Sequence, residues 1–198
     1  MIPEFLDKNL IVYKYDGMTF LNSLTPESVQ LIWTRPPFSN DLEIGSTKTV
    51  SMMEATELCA AVADAASRIL SPSGVLAICL SNQNTEGVLA AVSKRTHLQF
   101  GGYQIDSVDI DSTTLVFHKG EPRFNGVTAY CGPDDLVSMI TPFIEEHTDP
   151  GDVVVDPFCE SGIVVEAAVS LGRVAVVNDQ DPNAVSATVE RYKELCAQ

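Results

Sequence analysis

The segment from residue 153 to 192 constrains the fold more than any other, because it reads as strand, loop, helix, strand, acid and helix in uninterrupted order. "VVVDPF" (153–158) is a short apolar run, and "SGIVVEAAVSLG" (161–172) places Ile163, Val164, Ala167, Ala168 and Leu171 on one helical face. Gly172 is a natural end for that helix, since glycine tolerates the left-handed conformation of a C-cap. "RVAVVND" (173–179) is the next strand, after which Asp181 offers an N-cap and Pro182 a first helical position. Val185, Val189 and Tyr192 then line the buried side of a last helix. Strands that alternate with one-sided helices point to a mostly parallel sheet covered on both faces.

The first half repeats the alternation less cleanly. "NLIVYKYD" (9–16) and "LIWT" (31–34) read as strands. Leu58, Ala61, Val62, Ala65 and Ile69 carry helical spacing over residues 54–70. "SPSG" (71–74) turns the chain into "VLAICL" (75–80), an apolar run of the kind found in buried parallel strands. A helix follows near 85–97. "YQIDSVDI" and "TTLVFHK", separated by a tight "DS", suggest an antiparallel pair. "DDLVSMITPFIEEH" (134–147) is helical in pattern, with Pro142 expected to kink or split it. The expectation is one Rossmann-like α/β domain over residues 1–198, with about seven strands, "VVVDPF" central and "TTLVFHK" antiparallel.

Composition removes several function classes. The chain has 198 residues, enough for a core without disulfides. Its five cysteines are odd in number and form no C-x-x-C pair, so neither a disulfide framework nor a zinc site is indicated. No apolar run approaches the roughly 20 residues of a membrane span, and no signal peptide is visible. A reducing, cytoplasmic setting is the default. Twelve basic residues against 27 acidic ones give a net charge of −15. The densest basic spot is only "SKRTH" (93–97), whereas a free-standing DNA binder usually carries a basic face. Either this is an acidic solvated surface that keeps the protein soluble, or nucleic acid is not the partner or is held by another subunit.

The loop "DPFCESG" meets the start of a helix, where free backbone N–H groups suit a carboxylate or phosphate. Asp179 closes the next strand about twenty residues later, where a carboxylate accepts from two ribose hydroxyls. Asp179 also reads as a helix-flanking acid on a turn, and Ser161-Gly162 as an ordinary helix start.

"PGDVVVDPFCESG" followed by "LGRVAVVNDQDP" resembles the cofactor motif of DNA methyltransferases that modify an exocyclic amine of adenine or cytosine, a family with a D-P-F-x-G-S-G loop and a G-x-E-x-D-P segment. "VQLIWTRPPFS" resembles its D-P-P-Y catalytic corner, "YDGMTFLNSL" its strand-and-acid entry, "ASRILSPSGVLAI" its R-x-L-K-P-G-G strand and "LVFHKG" a strand near its sheet edge. The corner precedes the cofactor loop, as in the permuted branch. The resemblance implies S-adenosylmethionine as methyl donor and DNA as partner. It places Asp156, Pro157, Phe158, Ser161 and Gly162 at the methionine end, Asp179 at the ribose and Asp16 at the adenine. Arg35, Pro36, Pro37 and Phe38 fall on the catalytic corner, where the family's aromatic stacks on a flipped base and a carbonyl and leading acid or amide hold the amine.

Three places depart from that pattern. Arg35 stands where the acid or amide should be, and a guanidinium has donors only. Its other reading is a contact to a phosphate or to Asp41 or Glu43. Glu160 replaces the first loop glycine, and Cys131-Gly132-Pro133 replaces a lysine-proline pair. Only about thirty residues separate the corner from "RILSPSG", which leaves no room for a sizeable target-recognition domain. Two functions therefore stay open: a small DNA amine methyltransferase, or a methyltransferase fold kept as a binding or structural subunit in a homo- or hetero-oligomer. A third, a small-molecule methyltransferase, is weaker because the P-P-F corner favours a planar amine.

Overall fold

A computed structural model of the chain describes residues 1–37, 51–81, 84–106, 112–121, 126–129 and 135–197. In chain order the elements are β1 (Phe5–Leu6), β2 (Leu10–Tyr13), α1 (Gly17–Ser23), β3 (Val29–Thr34), α2 (Met52–Ile69), β4 (Leu70–Ser81) and α3 (Thr85–Arg95). They continue with β5 (Gln99–Asp106), β6 (Ser112–His118), β7 (Gly126–Ala129), α4 (Leu136–His147), β8 (Val153–Asp156), α5 (Ile163–Ser170), β9 (Val174–Asn178) and α6 (Pro182–Cys196). The described strands form one sheet in the order β1-β2-β9-β8-β3-β4-β6-β5-β7. That is nine strands rather than about seven. The additional pieces are the two-residue β1 and the four-residue β7 at opposite edges, too short to leave a periodic signal in sequence.

From β2 through β9, β8 and β3 to β4 every pairing is parallel. β6 runs antiparallel to β4 and to β5, as the tight turn between the two runs suggested. Apolar residues alternate between two faces. Leu31, Trp33 and Val154 join the cluster under α4, α5 and α6, while Ile32 and Val155 join the cluster under α1, α2 and α3. The buried face of α2 runs through Ala55, Cys59, Val62, Ala66 and Ile69, one position away from the expected Leu58 and Ala61, which are only partly covered.

Two helix ends follow their sequence signals. Asp181 caps α6 by accepting from the Asn183 N–H at 2.8 Å, with Pro182 beside it. At the end of α5 the Gly172 N–H donates to the Val169 carbonyl and the Arg173 N–H to that of Ala168, with Gly172 at φ 76°. This is the paired-bond closure that favours glycine. Pro142 does not split its helix: α4 is continuous from Leu136 to His147. The proline removes one intrahelical bond, but Met139, Ile140, Phe143 and Ile144 bury a full apolar face around it. Among the described residues no helix is long and apolar enough to cross a membrane.

The start of β9 is fixed from the side away from its carboxyl end. Arg173, 5% exposed, donates from Nε to the Thr148 hydroxyl at 2.9 Å and from its terminal nitrogens to the carbonyls of Thr148 and Leu171. At the other end of the sheet, α5 carries the chain from β8 to β9 while α2 carries it from β3 to β4 in the opposite direction. Adjacent strands whose crossovers diverge leave a crevice outside their carboxyl ends, the usual ligand position in such sheets. The loops that border it follow Asp156 and Thr34.

Trp33, the chain's single tryptophan, is 1% exposed near the carboxyl end of β3. Replacing it by alanine is expected to cost about 3–5 kcal/mol of unfolding free energy in urea titration. A loss under about 1 kcal/mol would show that β3 is not the packed centre of this sheet.

Candidate active site

Asp156 ends β8 at 3% exposure, and its carboxylate accepts the Phe158 N–H at 3.1 Å. Pro157 is buried and Phe158 half-buried. The Phe158 ring lies against Gly17, the first residue of α1: a Cβ there would stand 2.3 Å from ring Cε1. Any side chain at position 17 would push the Phe158 ring from this place. The loop then coils through Glu160 at φ 44° and Gly162 at φ 75°, with the Gly162 N–H donating to the Cys159 carbonyl at 2.7 Å. The cap of α5 is Gly162, so the helix begins at Ile163 and not at Ser161, which is exposed. A side chain at Gly162 would also meet the Thr188 Cα at 2.9 Å.

Helix α6 holds the outer side of the loop. The Thr188 hydroxyl donates to the Glu160 carbonyl at 3.3 Å, and Arg191 Nε donates to that of Ser161 at 2.7 Å while its guanidinium pairs with Glu166. Asp179 holds the inner side. One of its oxygens accepts the Glu160 N–H at 3.1 Å and the other the Asp181 N–H at 2.9 Å. Asp179 thus organises the turn into α6, as its reading as a helix-flanking acid expects, and also reaches back to the loop.

Asp16 caps α1, accepting from the Thr19 N–H at 2.9 Å and the Thr19 hydroxyl at 3.1 Å. It arrives beside the loop through Asn178, which is wholly buried at the end of β9. The Asn178 amide accepts the Tyr15 N–H at 2.9 Å and donates to the carbonyls of Tyr15 at 3.0 Å and Pro157 at 3.1 Å. Across the crevice Thr34 is fully buried, Arg35 half-buried, Pro36 buried and Pro37 half-buried. Phe38, Asp41, Glu43 and Cys131 lie outside the described residues.

Burial raises the Asp156 carboxyl to about 7. The Phe158 N–H and the nearby Thr34 hydroxyl offset part of that rise, and the negative charges of Glu160 and Asp179 add to it. Among the described residues the Thr34 hydroxyl makes no hydrogen bond of good geometry; its influence on Asp156 is one of proximity. Asp179 is also raised, first by burial and against the pull of the N–H groups that it accepts. The site is thus a crevice edged by Asp16, Asp156, Glu160 and Asp179, with a proline-stiffened corner opposite. Carboxylates in this number suit a ligand that carries positive charge and hydroxyl donors.

Residues 137–190 match the DNA methylase family. The whole chain superposes on solved structures of that kind. A candidate DNA modification methylase of Thermus thermophilus, in complex with S-adenosyl-L-methionine, matches with a TM-score of 0.76 at 17% identity over 95% of this chain and 96% of that chain. The cytosine-N4-specific PvuII DNA methyltransferase matches with a TM-score of 0.73 at 16% identity, over 98% and 93% respectively. For M1.HpyAVI with its cofactor the values are 0.63 and 15%, over 92% and 98%. Among curated proteins no sequence matches. The fold is thus that of these solved methyltransferase structures, and the segment 137–190 matches the DNA methylase family model.

Against the family's D-P-F-x-G-S-G loop, the left-handed Glu160 gains a physical meaning. It sits where the pattern has glycine and keeps the backbone conformation that glycine would adopt without strain. Sequence reading missed Asn178, Thr188, Arg191 and Gly17. Asn178 did leave a signal, as the polar residue inside "RVAVVND"; the others are ordinary helix positions whose reach to the loop depends on how α1 and α6 dock.

Two measurements test this electrostatic and backbone account. Glu160→Gly relieves left-handed strain of about 1–2 kcal/mol while adding about 0.5–1 kcal/mol of chain entropy, so stability is expected to rise by up to about 1.5 kcal/mol. A clear loss would show that the Glu160 side chain holds the loop. The folded value of about 7 for Asp156 lies above the unfolded one near 3.9, so the folded state binds this proton more tightly. Its stabilising contribution is complete below about pH 4 and is lost as pH rises through 7. Asp156→Asn should remove that fall and be more stable than wild type at pH 8 by a few kcal/mol, with a smaller gap at pH 5. Parallel stability-against-pH curves for the two proteins would rule out a buried neutral Asp156.

Proposed function

We propose that the chain is an S-adenosylmethionine-binding DNA methyltransferase domain of the kind that modifies an exocyclic amine of adenine or cytosine. The observation that carries this reading is the switch-point crevice, where the Asp156–Gly162 loop, pinned by Asp179, faces the Arg35-Pro36-Pro37 corner. The cofactors in the Thermus and M1.HpyAVI structures support the ligand. The donor set fits it: Asp179 offers remaining lone pairs to the ribose hydroxyls, Asp16 stands at the adenine side, and the carboxylates complement a cationic donor. When bound, the cofactor supplies a methyl group activated by its sulfonium. Pro36 offers a carbonyl acceptor, and Phe38 is the residue that would stack on the extruded base. The proposal takes residues 1–198 as a single methyltransferase-like domain with no sizeable target-recognition domain between the corner and β4, working in the cytoplasm.

A second reading is favoured by Arg35 itself. Transfer to an amine requires acceptors that hold its hydrogens and raise its nucleophilicity, and a guanidinium supplies none while opposing the developing positive charge. The chain would then bind the cofactor as a non-catalytic subunit beside an active partner, which would also supply the basic DNA surface that a net charge of −15 denies it.

Calorimetry with S-adenosylmethionine and its demethylated product is expected to show binding that Asp179→Ala abolishes. No heat at millimolar cofactor would end the enzyme reading. In a labelled-methyl assay on single- and double-stranded DNA, the protein alone should transfer little, and Arg35→Asp should gain. Robust wild-type turnover lost in Arg35→Asp would show that the arginine serves the chemistry.

A further inference from the structure

We propose that Asn178 is a positioning residue that sets the cofactor pocket before ligand arrives, by locking its adenine wall to its methionine wall. This role rests on the cofactor reading above. The two walls are distant in sequence: one is the Tyr15-Asp16 turn that opens α1, the other the Pro157–Cys159 segment after β8. One buried amide joins them. Its nitrogen donates to the Tyr15 carbonyl at 3.0 Å and to the Pro157 carbonyl at 3.1 Å, and its oxygen accepts the Tyr15 N–H at 2.9 Å. Its backbone carbonyl accepts the Cys159 N–H at 3.0 Å, and its neighbour Asp179 accepts the Glu160 N–H.

Strand geometry alone would not demand this residue. The preceding residues of β9, Ala175, Val176 and Val177, are apolar and buried, and Asn178 pairs in register with Tyr13 of β2. An apolar residue would fill the position and leave the same β-ladder. It would leave three backbone polar groups without their partner, the buried Pro157 carbonyl and the part-buried Tyr15 N–H and carbonyl, and the turn and loop would separate to reach water. The Phe158 ring against Gly17 is a second contact between the same two walls, and it closes only if they stay at this separation. Asn178 thereby fixes where Asp16 and Asp179 stand relative to Asp156.

The test compares two variants matched in stability. Asn178→Leu removes the bridging amide at the site; Arg173→Met removes buried hydrogen bonds at the other end of β9. Calorimetry with S-adenosylhomocysteine and with 5′-methylthioadenosine is expected to show Asn178→Leu weakened about 10-fold to 100-fold for both ligands. Arg173→Met should bind within about twofold of wild type. Equal affinity for wild type and Asn178→Leu, or an equal loss in both variants, overturns the proposal. Amide hydrogen exchange of the ligand-free wild type covers the case where Asn178→Leu fails to fold. The Tyr15 amide should be protected like the core amides of β9, and exchange as fast as an exposed loop overturns the lock. Absence of ligand binding by the wild type overturns the cofactor reading alone, and the Tyr15 exchange rate then decides whether Asn178 holds the two walls.

Discussion

The divergence of two crossovers at the β8–β3 pair is the constraint on which the rest of the structure depends. Leu31 and Ile32 lie in register with Val154 and Val155, so the two strands end side by side. From there α5 and α2 leave in opposite directions, which opens a crevice outside the carboxyl ends of these strands. The loop after Asp156 and the proline corner are far apart in sequence but face one crevice for that reason. Backbone hydrogen bonding sets the register, and the alternating apolar side chains on both faces hold it.

A crevice formed in this way is bordered by loops, and loops need anchors. The segment after Asp156 contains two left-handed residues and a helix start without a side-chain cap, and it leaves from a buried carboxyl. Its anchoring comes from elements on either side. α6 supplies Thr188 and Arg191 from outside, and β9 supplies Asn178 and the adjoining Asp179 from within. The burial of Asp156 follows from its place at the end of a central strand, and its raised ionisation follows from that burial. Position in the sheet thus dictates the chemistry of the residue most deeply set in the site.

Much of this was legible in the sequence. The helix–strand alternation, the antiparallel pair near residue 112, the Asp181-Pro182 start of α6 and the Gly172 stop of α5 all rest on interactions within a few residues of one another. Local rules therefore reach them. The edge strands β1 and β7 were not legible, because so few residues carry no period. The continuity of α4 through Pro142 was not legible either. That helix persists because burial of its apolar face, a tertiary effect, outweighs one missing hydrogen bond.

The candidate site divides along the same line. Asp156, Gly162 and Asp179 could be named from sequence because their places after strands and before helices are local facts. The Asn178 bridge, the hold of α6 on the loop and the contact of Phe158 with Gly17 join segments more than a hundred residues apart or on separate elements. No periodicity encodes which buried carbonyl an asparagine will meet. The sequence by itself determined the types of element, their order and the acids that end the strands, because propensity, capping and apolar spacing are short-range. Only the tertiary structure decided which loops share the crevice and how far apart they stand, because those distances are set by sheet order and packing.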